Sequence, residues 1–457
     1  MDKKKPNYFI YFAAIFLNLS CLSTGISYSW TSSLIPVFES NDTSINPLDK
    51  PLTPTESGLL VALLSLGSFA GPWIWGFLVH RLGKKKSLLI SNLPILVGHV
   101  LCAAASKVEV LFVARFLMGL SISGAWAITP GYLSEIAEPS NRGILNSFSL
   151  GSSCLGILWG YLVGPFLSVT WFSVVNVIPC VVFCITVYLF VPESPFDLVL
   201  VHQNEAAKRS LMTLRRSSNV EKELLEIERV IEENSKDNGG FTDILKNKGS
   251  LNGFIICVIL MIFNTMTGVI IVVGYAQSIF ETAGSPIPPA YSAILVGTVA
   301  FVATVVNSQV IDRLGRRPII IISSIIAALS HTALGVYFHL QSTGVNVQNI
   351  GWLPIASVIM FTFFHHFALG SVPFLILGEL LASNIKAVAT TVCTTINFGL
   401  AFALSLVYPY IVEYLGIANA YFIFAISMVV CAVFCILKVP ETKGKSFKEI
   451  FALLDKK

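Results

Sequence analysis

The chain has 457 residues, of which 54% are hydrophobic and only 12% charged, with a net charge of +4 and a mean hydropathy of +0.75. A soluble globular domain carries about 25% charged residues, so this composition excludes a water-soluble fold of this size, and the same apolar content excludes disorder. The nine cysteines lie in apolar runs with no metal-type CxxC pair, which reads as buried thiols behaving as small hydrophobes, not a disulfide framework.

In chain order, Lys3-Lys4-Lys5 precedes an apolar run from Tyr8 to Phe38. That run outlasts the about 7–15 residues of a signal-peptide core and predicts an uncleaved first span. Asn41-Asp42-Thr43 follows, an N-glycosylation sequon at Asn41. Runs long enough to cross a bilayer, about 20 apolar residues each, recur over 56–79, 87–106, 110–137, 145–167 and 170–191. A polar stretch from Pro195 to Ser250 predicts two short amphipathic helices, 205–216 and 220–235. Six more spans follow, over 251–283, 289–311, 319–340, 352–377, 387–414 and 418–439.

The pattern predicts an all-α membrane protein of twelve transmembrane helices in two six-helix bundles, 1–194 and 251–440. Between them lies a cytoplasmic helical linker, 195–250, and 441–457 forms a cytoplasmic tail. With both termini inside, Lys50, Lys107 and Arg115 are the only members of the 30 Lys and Arg outside the cytoplasmic set, as the positive-inside rule requires. The sequon then falls on the outer side.

The two halves repeat one another. Arg81-Leu82-Gly83-Lys84-Lys85 answers Arg313-Leu314-Gly315-Arg316-Arg317, Glu135 and Arg142 answer Glu379 and Lys386, and Val191-Pro192-Glu193-Ser194 answers Val439-Pro440-Glu441-Thr442. Parallel six-helix repeats are typical of secondary transporters. All three landmarks sit at the predicted inner ends of helices. Topogenic need accounts for the bases, but not for acids at repeating spacing among them. Arg81, Glu135, Arg142, Glu193, Asp312, Arg313, Arg316, Glu379, Lys386 and Glu441 are therefore expected to form ion pairs between the halves that gate the inner mouth.

The strings GFLVHRLGKKK, RFLMGLSISG, PGYLSEIAEPSNRG, VPESP, IDRLGRRP, SVPFLILGEL and VPETKGKSFKEI together resemble the signatures of the sugar porter family of the major facilitator superfamily. Ser29-Trp30-Thr31-Ser32 and the short tails are similar to the trehalose and hexose facilitators of insects. The resemblance implies one mid-membrane sugar site between the bundles, worked by alternating access. Carried over residue by residue, it implies substrate contacts at Asn264, Thr265, Thr267, His365, His366, Phe374, Asn397 and Phe398, with Gln277 nearby. Other family amide positions fall on Leu150, Ile270 and Ala300, which removes hydrogen bonds to sugar hydroxyls. One of the adjacent His365 and His366 is expected to face the cavity.

Proton-coupled relatives commonly place a carboxylate in the first span, where this chain resembles them at Thr31. No acid falls mid-span, and no acid partners Arg115 within its own span. An ionisable group at the bilayer centre costs about 2.5–3.5 kcal/mol and is kept for a task, so this absence predicts facilitative transport of a hexose or trehalose. The histidines keep proton symport open as an alternative, beside a non-transporting sugar sensor and a facilitator of another small polar solute. With no phosphate loop, metal cluster or nucleophile–base pair, the expectation is no enzyme, no cofactor and no metal. The expected partners are a sugar and the lipid bilayer, with no nucleic acid. A monomer suffices, the oligomeric state is left open, and the plasma membrane is the expected location.

Overall fold

A computed structural model describes residues 8–138, 141–236, 244, 247–381, 383–445 and 447–455. Its twelve spans are Tyr8–Phe38, Pro54–Leu82, Lys84–Ala103, Val108–Ile136, Gly143–Phe166, Val169–Phe190, Lys248–Gly274, Pro289–Ile311, Arg316–Ser342, Gln348–Leu380, Ile385–Leu415 and Ile417–Leu437. They form two six-helix bundles joined by a helical linker, and no strand occurs among the described residues. Several helices run past their apolar cores into capped ends. The second starts on a reciprocal cap, in which Glu56 N donates to Thr53 Oγ1 (3.3 Å) and Thr53 N to Glu56 Oε2 (2.9 Å), with Pro54 pre-set for the first turn.

Close packing comes from small residues. Gly25 of the first span and Gly156 of the fifth let their backbones touch, and Gly67 and Gly119 do the same between the second and fourth. In lipid, where apolar tails give helices no reason to associate, such small-residue seams supply the van der Waals contact.

The repeated RLG strings fold as one-residue hinges between neighbouring spans. Gly83 (φ +79°) and Gly315 (φ +89°) take the left-handed region, which glycine enters without a Cβ penalty. A Cβ at Gly315 would also stand 2.9 Å from Glu441 Oε2.

The linker forms helices Pro195–Leu200, Asn204–Arg215 and Glu221–Lys236 and packs beneath the first half. Arg215 Nη1 donates to Ile136 O (2.7 Å) and Ser210 Oγ to Glu193 O (2.6 Å). The first of these helices was not expected; Ser194 caps it and Pro195 opens it. A tail helix, Phe447–Asp455, docks on the second half, where Leu454 is buried and its carbonyl accepts from Asn252 Nδ2 (3.0 Å).

The halves meet from mid-membrane to the face opposite the termini. Tyr161 Oη donates to Val273 O (2.8 Å), Gln277 N and Nε2 donate to Ser32 Oγ (3.1 Å) and Ser33 Oγ (3.3 Å), and Cys154 Sγ lies 3.2 Å from Thr304 Oγ1. Pro409 abuts Gly58, and Phe69 abuts Gly399. The mouth on the far face is closed.

Candidate functional site: the broken seventh and tenth spans

The seventh span is not one helix. It runs Lys248–Met266, breaks, and resumes as Val269–Gly274 and Ala276–Thr282. Gly268 makes the break at φ +77°. Thr267 Oγ1 donates to Asn264 O (2.8 Å) and accepts from Val269 N (3.3 Å), so its hydroxyl serves the two broken ends. His331 of the ninth span, packed among Phe361, Tyr421 and Phe424, places Nε2 2.9 Å from Thr267 O. Unwound backbone at mid-membrane is tolerated where neighbours satisfy it, and transporters build their sites on such breaks.

Asn264, Thr265 and Asn397 form one knot. Asn397 Nδ2 lies 3.0 Å from Asn264 Oδ1, 2.9 Å from Thr265 Oγ1 and 3.1 Å from Met261 O. Thr265 Oγ1 donates in turn to Asn397 O (3.1 Å), and Asn264 Nδ2 to Leu369 O (2.7 Å). Asn264 is the half-buried member; the other two are buried. Three of the expected sugar ligands are thus brought together, bonded to protein with the far mouth closed.

The tenth span carries a π-turn, His365–Leu369, in which Gly370 N reaches back to His365 O (2.8 Å). His365 and His366 are 5% and 7% exposed. His366 Nδ1 lies 3.0 Å from Thr362 O within its own helix, while the His365 ring rests on Phe361. Phe374 is exposed, and Phe398 reaches across to the first-half core around Trp30 and Leu64. Gln277 belongs to the far-face closure described above.

The charged landmarks assemble twice, once in each half. Lys84 Nζ sits 2.8 Å from Glu135 Oε1 and 2.7 Å from Asp197 Oδ1, and Lys84 N donates to Asp197 Oδ2 (2.6 Å). In the second half Arg316 pairs with Glu379 (3.1 Å), while Arg316 N (3.0 Å) and Arg317 N (3.1 Å) donate to Glu441. Each cluster sets a carboxylate on the N-terminus of a helix, where free N–H groups and the helix dipole favour negative charge. Burial works against the Glu441 carboxylate, but N–H bonds from Lys443, Arg316 and Arg317 outweigh it and hold the group below its usual pKa.

The ion pairs described at this face stay within each half instead of bridging the two. Glu193 lies 3.7 Å from Lys86, Arg81 stacks over Phe77 (4.5 Å), Lys386 Nζ donates to Gly378 O (3.0 Å), and Arg313 O accepts from Lys443 Nζ (2.6 Å). The side chains of Arg142 and Asp312 lie outside the described residues.

Arg115 is fully buried. Its Nε donates to Leu60 O (3.0 Å) and Nη1 to Ser27 O (2.7 Å), and its guanidinium lies 5.4 Å from the Trp30 ring. Main-chain dipoles and an indole face hold this cation, and no described ion pair includes it.

A family profile described as "Sugar (and other) transporter" matches residues 19–454. The chain belongs to that family. It is 31% identical to a protein named facilitated trehalose transporter Tret1 from Culex quinquefasciatus, over 96% of this chain and 84% of the relative. Its likeness to the Anopheles gambiae protein of the same name is 30% over 96% of this chain, but the chain spans only 55% of that relative's length. Among solved structures, the inward-open conformation of the xylose transporter XylE from E. coli shares the fold at a TM-score of 0.80. That match is 22% identical and covers 97% of this chain and 99% of the other.

In this member of the sugar transporter family, four positions tied into these networks are not marked by the motifs: Lys84, Asp197, Asn307 and His331. Lys84 was passed over for Arg81, although aligning Gly83 with Gly315 sets Lys84 opposite Arg316. Asp197 follows a helix-cap pattern beginning at Ser194. Asn307 lies two turns beyond Ala300, where the family's eighth-span amide was sought. His331 gave no pattern beyond being a lone imidazole in an apolar span.

Proposed function

We propose that this chain is a facilitative carrier, a uniporter that moves a hexose or trehalose down its gradient by alternating access, without enzymatic activity. The observation that carries the reading is Arg115. A buried cation met by two main-chain carbonyls and Trp30 pairs, among the described residues, with no carboxylate whose protonation would couple a proton to each cycle. The relatives named facilitated trehalose transporters support the substrate class. We place both termini in the cytoplasm from the basic residues, and the protein in the plasma membrane as a monomer competent for transport. Asn41, exposed on the far face, is the proposed glycan acceptor. Symport is the second reading, favoured by the buried imidazoles beside the broken spans and by a neighbour titled a proton:xylose symporter.

The test is counterflow in proteoliposomes with glucose, fructose and trehalose, with and without an imposed pH gradient. At least one sugar should exchange without the gradient, and the gradient should change its rate by less than about twofold, since Arg115 is held by carbonyls and an indole and by no described carboxylate. Uptake that requires the gradient would establish symport. Sugar binding without exchange would establish a sensor.

A further inference from the structure

The π-turn of the tenth span has a backbone problem that side chains from two other spans solve. Pro373 has no N–H, so Leu369 O lacks the donor a regular helix would supply four residues on. Two residues earlier, Ser371 N bonds Ala368 O (3.1 Å) instead of Phe367 O. Buried carbonyls in a membrane must find partners. Asn264 Nδ2 of the seventh span donates to Leu369 O (2.7 Å). Asn307 Nδ2 of the eighth donates to Phe367 O, and also to Ser371 Oγ (2.8 Å). Asn307 is 6% exposed.

We propose that Asn307 is a positioning residue for transport. With Asn264 it holds the tenth span in its π-turn while the far mouth is closed, and so fixes the segment that carries His365 and His366. A π-turn packs an extra residue into one turn and is frequent at functional sites. Rewinding to a regular helix would draw Phe367 O and Leu369 O away from the two carboxamides. Asn264 is already tied to Asn397 of the eleventh span through its Oδ1, so the same two amides link the seventh, eighth, tenth and eleventh spans. Asn307 contributes donors to a joint, not contacts to the solute.

The inference rests on the transport reading above, and the experiment separates the two: a wild-type chain that moves no sugar defeats the reading, whereas the inference is judged on variants relative to an active wild type. Turnover per molecule and KM are measured in proteoliposomes at equal protein density for Asn307→Leu, Asn307→Gln, Pro373→Ala and the Asn307→Leu/Pro373→Ala double variant. Asn307→Leu should lower turnover about tenfold with KM within about threefold, the signature of a lost step and not of lost binding. Asn307→Gln, which keeps the donors, should recover most of the rate. Pro373→Ala restores a backbone N–H for Leu369 O and should slow turnover in the same way. The double variant should fall no further than the worse single variant, because both act on one joint.

The proposal is overturned if turnover is unchanged in Asn307→Leu or, should that variant not fold, in Pro373→Ala. It is equally overturned if the two losses add in full. A KM that rises as the rate falls would make Asn307 a sugar ligand, contrary to the proposal.

Discussion

Replacing Gly25 by alanine is expected to remove most folded protein from the membrane. The added Cβ would lie 1.9 Å from Ser153 O, 2.8 Å from Ser153 C and 2.9 Å from Ile157 N. All three are backbone atoms, so no side chain can swing aside and the first and fifth helices must separate. Overpacking costs about 1–3 kcal/mol where side chains can shift and more where they cannot, which places this change at about 3 kcal/mol or above. The seam is long: Gly156 meets Leu22 O at 2.0 Å and Gly160 meets Ser29 Oγ at 2.1 Å by the same construction. Thermal unfolding in detergent, or yield after size exclusion, measures the loss. Gly151→Ala on the same fifth span is the control. Its Cβ meets nothing within 4 Å, so it should be neutral or stabilise by up to about 1 kcal/mol through helix propensity.

Lys84→Met is the second large effect. The ammonium sits between Glu135 and Asp197, and the three side chains are 18%, 20% and 11% exposed. Removing it leaves two carboxylates facing each other with little water to screen them, a loss of about 3 kcal/mol by analogy with other broken buried pairs. Neutralising both acids as well, in Lys84→Met/Glu135→Gln/Asp197→Asn, should restore most of that stability. The penalty comes from the stranded charges more than from the missing bond. Lys208→Met breaks an exposed pair with Glu221 and should leave the unfolding temperature unchanged. Equal losses in the two lysine variants would contradict this account of the cluster.

Much of the architecture is legible in the amino-acid sequence because a bilayer imposes a strong and simple constraint. Apolar runs of spanning length and the distribution of Lys and Arg give the helix number and the two halves. The repeated Arg-Leu-Gly strings mark the hinges at Gly83 and Gly315. Hydropathy, however, is blind to backbone register. The run over 251–283 reads as one continuous span, whereas Gly268 breaks it. Gly268 between Thr267 and a run of β-branched residues was the available signal. The π-turn at His365–Leu369 leaves no trace in hydropathy at all, and Pro373 was its only marker.

Pairing is hidden for a different reason. A repeat names which charges recur, but the same residues satisfy a bridge between the halves or a cap within each. Among the described residues Asp197 and Glu441 sit on helix N-termini within their own halves. For the sugar positions, resemblance gave the residue types, and the structure adds that Asn264, Thr265 and Asn397 are bonded to one another in this arrangement. Under the proposed function, a solute hydroxyl at these residues would compete with an intact protein network, a setting in which buried polar groups set selectivity.

The most direct test of alternating access is to lock the closed face. Ser32 Oγ and Gln277 N stand 3.1 Å apart across the two halves, so Ser32→Cys and Gln277→Cys put one thiol on each side of this seam. Loss of both free thiols on oxidation verifies the disulfide before transport is measured. With the pair oxidised, sugar counterflow in proteoliposomes should fall to background, and reduction should restore it. Undiminished counterflow in fully cross-linked protein would mean that solute crosses without the halves parting at this face, and the account would be wrong.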